Sequence, residues 1–137
     1  MGRAPKQAWV STSRVEKNPW GESRVWDATN GTHGKIISIK EGGRTSFKYH
    51  KLKNEVFMVL WGTVRVDFGS SSSLLKPEKY PIQSRILREG DVLHVLSECP
   101  YRLTALEDCK IIEVGDRHDN DPVRLEDDYG RANAKQS

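Results

Sequence analysis

From residue 34 to residue 114 the chain is written in short runs of alternating or wholly apolar residues, each closed by a turn-forming cluster. Residues 35–40 (KIISIK) are rich in β-branched side chains, and Glu41-Gly42-Gly43 ends them. Residues 44–50 alternate, residues 55–60 (EVFMVL) are almost continuously apolar, and residues 63–68 (TVRVDF) alternate again after Gly62. The continuous run predicts a strand buried on both faces; the alternating one predicts Arg65 and Asp67 facing solvent or a neighbouring strand. Further short strands are expected at 85–87, at VLHVL after Gly90-Asp91, at 101–105 and at 110–114. Residues 23–29 precede the hairpin-type turn Asn30-Gly31 and form a weaker candidate. No stretch holds a helical apolar period over three turns. Many short strands with turn signals every eight to twelve residues predict an all-β barrel or sandwich.

The flanks read differently. Residues 1–13 are polar and predict an N-terminal arm, ordered only where something docks Trp9 and Val10. Asn18 precedes Pro19 and is pushed to an extended conformation, with Gly21 permitting a turn. Residues 69–84 form the one long irregular stretch; Ser70–Ser73 are of low complexity, and Pro77 and Pro81 resist helix and central strand. Beyond Gly115 the composition turns too charged for a core strand. One domain over residues 14–131, with a polar tail at 132–137, fits a chain of 137 residues.

Composition narrows the classes. Twenty-two Lys and Arg against 19 Asp and Glu give a formal charge of +3, too balanced to argue for nucleic acid without a basic stripe. Cys99 and Cys109 belong to no CxxC and form no disulfide framework, so two buried or half-buried thiols are expected. No apolar run approaches the roughly 18 residues of a membrane span, and the first residues lack the apolar segment of a signal peptide. The expected location is the cytoplasm.

The chemistry centres on GGRTSFKYHKLKNEVFMVLWG, residues 42–62, where His50 and Glu55 stand five residues apart across a polar turn. Lys48 shares a strand face with His50. Together with residues 90–105 this stretch resembles the two motifs of the cupin superfamily, and more closely the cupin domain of type II phosphomannose isomerases. Pro19-Trp20-Gly21, Gly43-Arg44-Thr45-Ser46, Arg102-Leu103 and the closing DPVRLEDDYGR from Asp121 to Arg131 carry that likeness in order. The resemblance implies a single cupin, jelly-roll-like β-barrel, standing without the nucleotidyltransferase half found in many relatives. It also implies a divalent metal (zinc, manganese or iron) held by an amide-bearing residue, a histidine and a glutamate of the first motif and a histidine of the second.

His50 and Glu55 match two of those ligands, whereas Lys48 stands at the Gln position and Tyr101 at the second histidine. An ammonium has no lone pair for a metal, and a neutral phenol is a poor ligand. His94 would be a third ligand if it faced inward. Two readings follow: a weakened metal site at His50, Glu55 and His94, or a site in which the Lys48 ammonium takes the place of the cation beside Glu55. Lys48 and Glu55 are the candidate catalytic groups. Lys35, Arg44, Lys48, Tyr101 and Arg131 are the candidate ligand-binding residues, since a sugar phosphate calls for cations. Arg102, opposite in direction to Tyr101, reads as a structural surface residue, and His33 and His118 as surface residues in turns. Three functions stand open: binding of a sugar phosphate or similar small polar ligand beside a degenerate metal site, metal-dependent isomerisation of mannose 6-phosphate, and a non-catalytic structural role. A homodimer is expected from the resemblance.

Overall fold

The computed structural model describes residues 4–29, 31–116 and 122–131. Eleven strands and one short helix follow one another: β1 (Arg14–Asn18), β2 (Gly21–Thr29), β3 (Thr32–Ile39), β4 (Phe47–Tyr49), β5 (Glu55–Trp61), β6 (Val64–Phe68), α1 (Ser71–Leu75), β7 (Gln83–Leu87), β8 (Val92–Val95), β9 (Tyr101–Ala105), β10 (Cys109–Asp116) and β11 (Val123–Glu126). Every described pairing is antiparallel. They make a six-stranded sheet, β1-β2-β3-β10-β5-β8, and a five-stranded sheet, β11-β4-β9-β6-β7, packed face to face. This is the expected all-β cupin architecture.

The register explains both the core and the cavity. On the inner face of the larger sheet, Ile37 of β3, Ile111 of β10 and Val59 of β5 stand in one row. The next row is Lys35, Glu113, Phe57 and Leu93, and the one after it His33, Gly115, Glu55 and Val95. On the smaller sheet Val64 pairs Ala105 and Val66 pairs Leu103, before Phe68 meets Tyr101 and Tyr101 meets Lys48. Both inner faces therefore change from aliphatic to charged in the same direction. The aliphatic end closes as a buried core of Ile37, Ile39, Val59, Val64, Val66, Leu103, Ala105, Cys109 and Ile111. Each such Ile, Leu or Val contributes about 1.5–3 kcal/mol on burial. The charged end is left as a pocket.

Three expectations change. The apolar run of β5 is buried on one face only: Glu55, Phe57 and Val59 point in, while Val56 and Met58 are 39% and 37% exposed. Their neighbours on the outer face, Ile112 and Val114, are also apolar, so the sequence lost its alternation without the strand losing its two faces. The low-complexity serines form α1, where Ser70 and Ser73 make a reciprocal capping box. The charged closing segment does contain a strand, β11, admitted because it is an edge strand with one neighbour, β4. Arg65 and Asp67 are half-buried and 3.5 Å apart, with Asp67 also accepting from Ser84 Oγ across the β6–β7 pair. Both cysteines are free thiols, Cys109 buried and Cys99 half-buried. Residues 4–13 have no regular secondary structure and Trp9 is 66% exposed. No helix among the described residues is long and apolar enough to cross a membrane.

Gly62 shows how closely the aliphatic end is packed. It follows β5 at φ +88°, and a Cβ there would lie 2.3 Å from the Asp108 carbonyl oxygen.

Candidate functional site

The pocket at the charged end has a volume of about 360 Å³. Ser46, Lys48 and His50 come from β4 and its ends, alternating inward at every second residue. Glu55 comes from β5, Lys35 from β3, Glu113 from β10, Tyr101 from β9 and Arg124 from β11. Lys53 enters from the turn between β4 and β5, and Arg131 and Glu16 stand in the lining as well.

The turn is the part least visible in the sequence. Asn54 pins it: its backbone N–H and Nδ2 donate to Asp116 at 2.9 and 2.8 Å, and its Oδ1 accepts from the Ser97 N–H at 2.8 Å. With Asn54 fixed on the strand end, Lys53 is turned into the barrel. Its ammonium lies 3.2 Å from Glu55 Oε2 and 3.2 Å from Glu113 Oε2, both carboxylates being nearly sealed from solvent. Gly115 makes room for this arrangement, since a Cβ there would come within 2.9 Å of both His33 Cε1 and Lys53 Cε. The ammonium that bridges the two carboxylates is thus that of Lys53, not that of Lys48. KLKN has the composition of a solvated turn, so nothing in the sequence marks Lys53 as facing inward. Glu113 was open to detection: in CKIIEVGD it shares the inward period of Cys109 and Ile111.

Glu55 spends its other oxygen on the tyrosine at the second-motif position: Tyr101 Oη donates to Glu55 Oε1 at 2.9 Å. His50 Nε2 lies 3.4 Å from the same oxygen. Burial, reinforced by the Lys53 and Lys48 charges, pushes the His50 pKa down to about 4, so the ring is neutral and the contact is not an ion pair. A proton on Nε2 directed at Glu55 leaves Nδ1 as an acceptor, and Nδ1 is buried without a hydrogen-bond partner. Ser46 Oγ, also in the pocket wall, is likewise buried and unpartnered.

Burial, then the Glu113 charge, raises the Glu55 pKa, with Lys53, the Tyr101 hydroxyl and Lys48 opposing. Glu113 goes the other way: burial would raise it, but the His33 contact together with Lys35, Lys53 and Lys48 holds it well below the carboxylate range. His33 Nε2 lies 3.4 Å and Lys35 Nζ 3.8 Å from Glu113 Oε2, so His33 is a half-buried partner of Glu113 rather than a surface residue. Tyr101 is raised far above an ordinary phenol by burial and the Glu55 and Glu113 charges, and stays a neutral donor. The Lys48 ammonium lies over the Tyr101 ring, 5.6 Å from its centroid. Burial and the Lys35 charge bring the Lys48 pKa down to about 8.

The predicted residues divide accordingly. Lys35, Lys48, His50, Glu55, Tyr101 and Arg131 come together at the pocket. Arg44 does not: it is spent on Asp128, with Nη2 donating to Oδ1 at 2.6 Å. Arg131 is held by Asp127, Nη2 to Oδ1 at 2.9 Å and Nε to Oδ2 at 3.1 Å. Arg102 is structural but buried: Nε donates to the Thr45 carbonyl at 2.9 Å and Nη2 to the Glu126 carbonyl at 3.2 Å, tying β11 to the barrel. His94 is exposed, paired opposite Val56 on the outer face of the sheet, so it offers no third ligand inside the barrel. His118 lies outside the described residues.

The donor set does not fit a divalent metal. Among the described residues no group of three His, Cys, Asp or Glu side chains is arranged to hold one. Both Glu55 oxygens are engaged, by Tyr101 and Lys53, and an ammonium stands between the two carboxylates. A dication there would sit beside a like charge that has no lone pair to offer.

The solved structures that resemble the chain agree on the fold. KdgF from Halomonas sp. aligns at 15% identity with a TM-score of 0.63, over 77% of this chain and 88% of that one. CapF, a capsular polysaccharide assembling protein from Staphylococcus aureus, aligns at 15% identity and TM-score 0.70, over 87% of this chain and 33% of that one. Oxalate decarboxylase from Bacillus subtilis, a protein with Mn(II) centres, aligns at 19% identity and TM-score 0.69, over 87% and 34%. The chain thus spans most of the first and about a third of the other two. No curated protein sequence matches it. Residues 6–127 match the mannose-6-phosphate isomerase C-terminal family, and the chain belongs to that family of cupin domains.

Proposed function

We propose that the chain binds a sugar phosphate, or a similar small anion bearing hydroxyl groups, in its barrel without a resident metal. The carrying observation is the imbalance of the pocket. Five cations, Lys35, Lys48, Lys53, Arg124 and Arg131, line it against three carboxylates, the buried Glu55 and Glu113 and the exposed Glu16, and the buried Ser46 Oγ and His50 Nδ1 have no hydrogen-bond partner. A buried polar atom left without a hydrogen bond costs about 1–3 kcal/mol, which a ligand hydroxyl would recover. The excess of positive charge matches a phosphate, and the family membership points to sugar phosphates as the class to try first.

Thermal shift with chelator-treated protein tests this. Mannose 6-phosphate and fructose 6-phosphate should stabilise the fold in a saturable way. Mannose, which lacks the charge, and inorganic phosphate, which lacks the hydroxyls, should do so much less. Equal stabilisation by inorganic phosphate alone would reduce the reading to a plain anion site, and no stabilisation by any of them would overturn it.

A further inference from the structure

We infer that Lys48 is an amine nucleophile that forms an imine with the carbonyl group of a phosphorylated aldose or ketose in this pocket. The inference rests on the binding reading above and extends it to a reaction.

The three pocket lysines have different surroundings. Lys53 is locked between two carboxylates and Lys35 stands 3.8 Å from Glu113. Lys48 lies within ion-pair distance of no carboxylate among the described residues; its neighbour is the face of Tyr101. It is therefore the lysine whose nitrogen can leave its contact at least cost. It also sits between the two unpartnered acceptor-capable groups, Ser46 and His50, on the same strand face. A ligand whose hydroxyls reach those two atoms presents its carbon chain to Lys48. Burial and the nearby Lys35 charge favour the neutral, nucleophilic amine.

The step balances without any further reagent. A protonated Lys48 gives up one proton to a base, and the free amine adds to the carbonyl carbon. The carbonyl oxygen takes up protons, one of them returned from that base, and departs as water. Lysine ammonium plus carbonyl thus becomes protonated imine plus water, with charge conserved. Solvent in the pocket holds that proton in transit, since both Glu55 oxygens are engaged, by Tyr101 and Lys53. The cationic imine then does electronically what a metal does for a carbonyl: it withdraws electrons from the neighbouring carbon and makes its proton more acidic.

The test uses the full chain with dihydroxyacetone phosphate as probe and sodium cyanoborohydride as trap. Intact mass and peptide mapping should show one reduced adduct on Lys48, formed about tenfold or more faster than on any other lysine. Lys48→Arg, which keeps the charge but removes the nucleophilic amine, should abolish that adduct. Stabilisation by the probe with adducts spread evenly over surface lysines, or concentrated on Lys35, would overturn the imine and leave the binding reading standing. Neither stabilisation nor adduct would overturn both. Lys48→Met serves as a second variant, and an adduct pattern unchanged in it would also refute the role.

Discussion

Replacing Lys53 with methionine removes the ammonium that bridges Glu55 and Glu113 but keeps most of the side-chain volume. Both carboxylates are almost inaccessible, at 1% and 3% exposed, so water cannot take the place of the lost charge. Glu113 retains Lys35 at 3.8 Å and His33 at 3.4 Å, whereas Glu55 retains only the Tyr101 hydroxyl and a neutral His50. Breaking a buried pair by removing one partner costs about 3–5 kcal/mol, and two orphaned carboxylates put this variant in that range. For a chain of this size that loss lowers Tm by roughly 10–15 °C.

The loss should depend on pH in a defined direction. Glu55 already has a raised folded-state pKa, and losing Lys53 raises it further. A carboxyl with a raised folded pKa binds more protons folded than unfolded, so its penalty is small at acid pH and grows as pH rises through the folded value. Glu113, with a lowered pKa, contributes stability above its unfolded value and loses it on acidification, in wild type as in the variant. The difference between Lys53→Met and wild type should therefore be smaller at pH 5 than at pH 7.5. Adding Glu55→Gln should recover part of the deficit at neutral pH. Urea unfolding of the four proteins of this double-mutant cycle at both pH values measures it. A Lys53→Met variant within about 1 kcal/mol of wild type at pH 7.5 would refute the bridging role, because that is the scale of an exposed ion pair.

The remaining predictions address the pocket walls and their supports. Ser46→Ala removes a buried hydroxyl without a partner, so it should leave the unliganded chain as stable or slightly more so, while weakening mannose 6-phosphate binding about tenfold by calorimetry. Gly115→Ala places a methyl 2.9 Å from His33 and Lys53 and 3.2 Å from the Asn54 carbonyl oxygen. It should cost about 1–3 kcal/mol in urea unfolding through overpacking and reduce ligand affinity. Arg102→Leu breaks the donors to Thr45 and Glu126 and should destabilise by about 2–4 kcal/mol in the same measurement. Protection of the β4 and β11 amides from hydrogen exchange should be lost first in that variant.

Much of this barrel was legible in the sequence because strand period and turn chemistry are local. The runs around Ile37, Val59, Val66, Leu103 and Ile111 announce strands by their apolar and β-branched content, and the structure packs those same residues together. β11 was not legible, since an edge strand can be as charged as a loop. Nor was the outer face of β5, where Val56 and Met58 are apolar yet exposed, and no single sequence says whether an apolar residue is covered. In the pocket, His50, Glu55, Lys48 and Tyr101 were readable from strand period and from the family likeness. The decisive cation was not. Lys53 lies in a polar turn whose direction is set by Asn54 bonding to Asp116, 62 residues away, and such a contact leaves no periodic trace. Arg44 was misplaced for a related reason: it stands beside the motif strand, but its partner Asp128 is 84 residues distant.

In the proposed binding mode the Lys53 ammonium stands between Glu55 and Glu113, and the pocket takes its anion without a metal. Isothermal titration of mannose 6-phosphate into chelator-treated protein, repeated after addition of one equivalent of Mn²⁺ or Zn²⁺, tests it most directly. The same saturable one-to-one binding is expected in all three samples, lost together when Lys53 is replaced by methionine. Binding that appears only after the metal is added would contradict it.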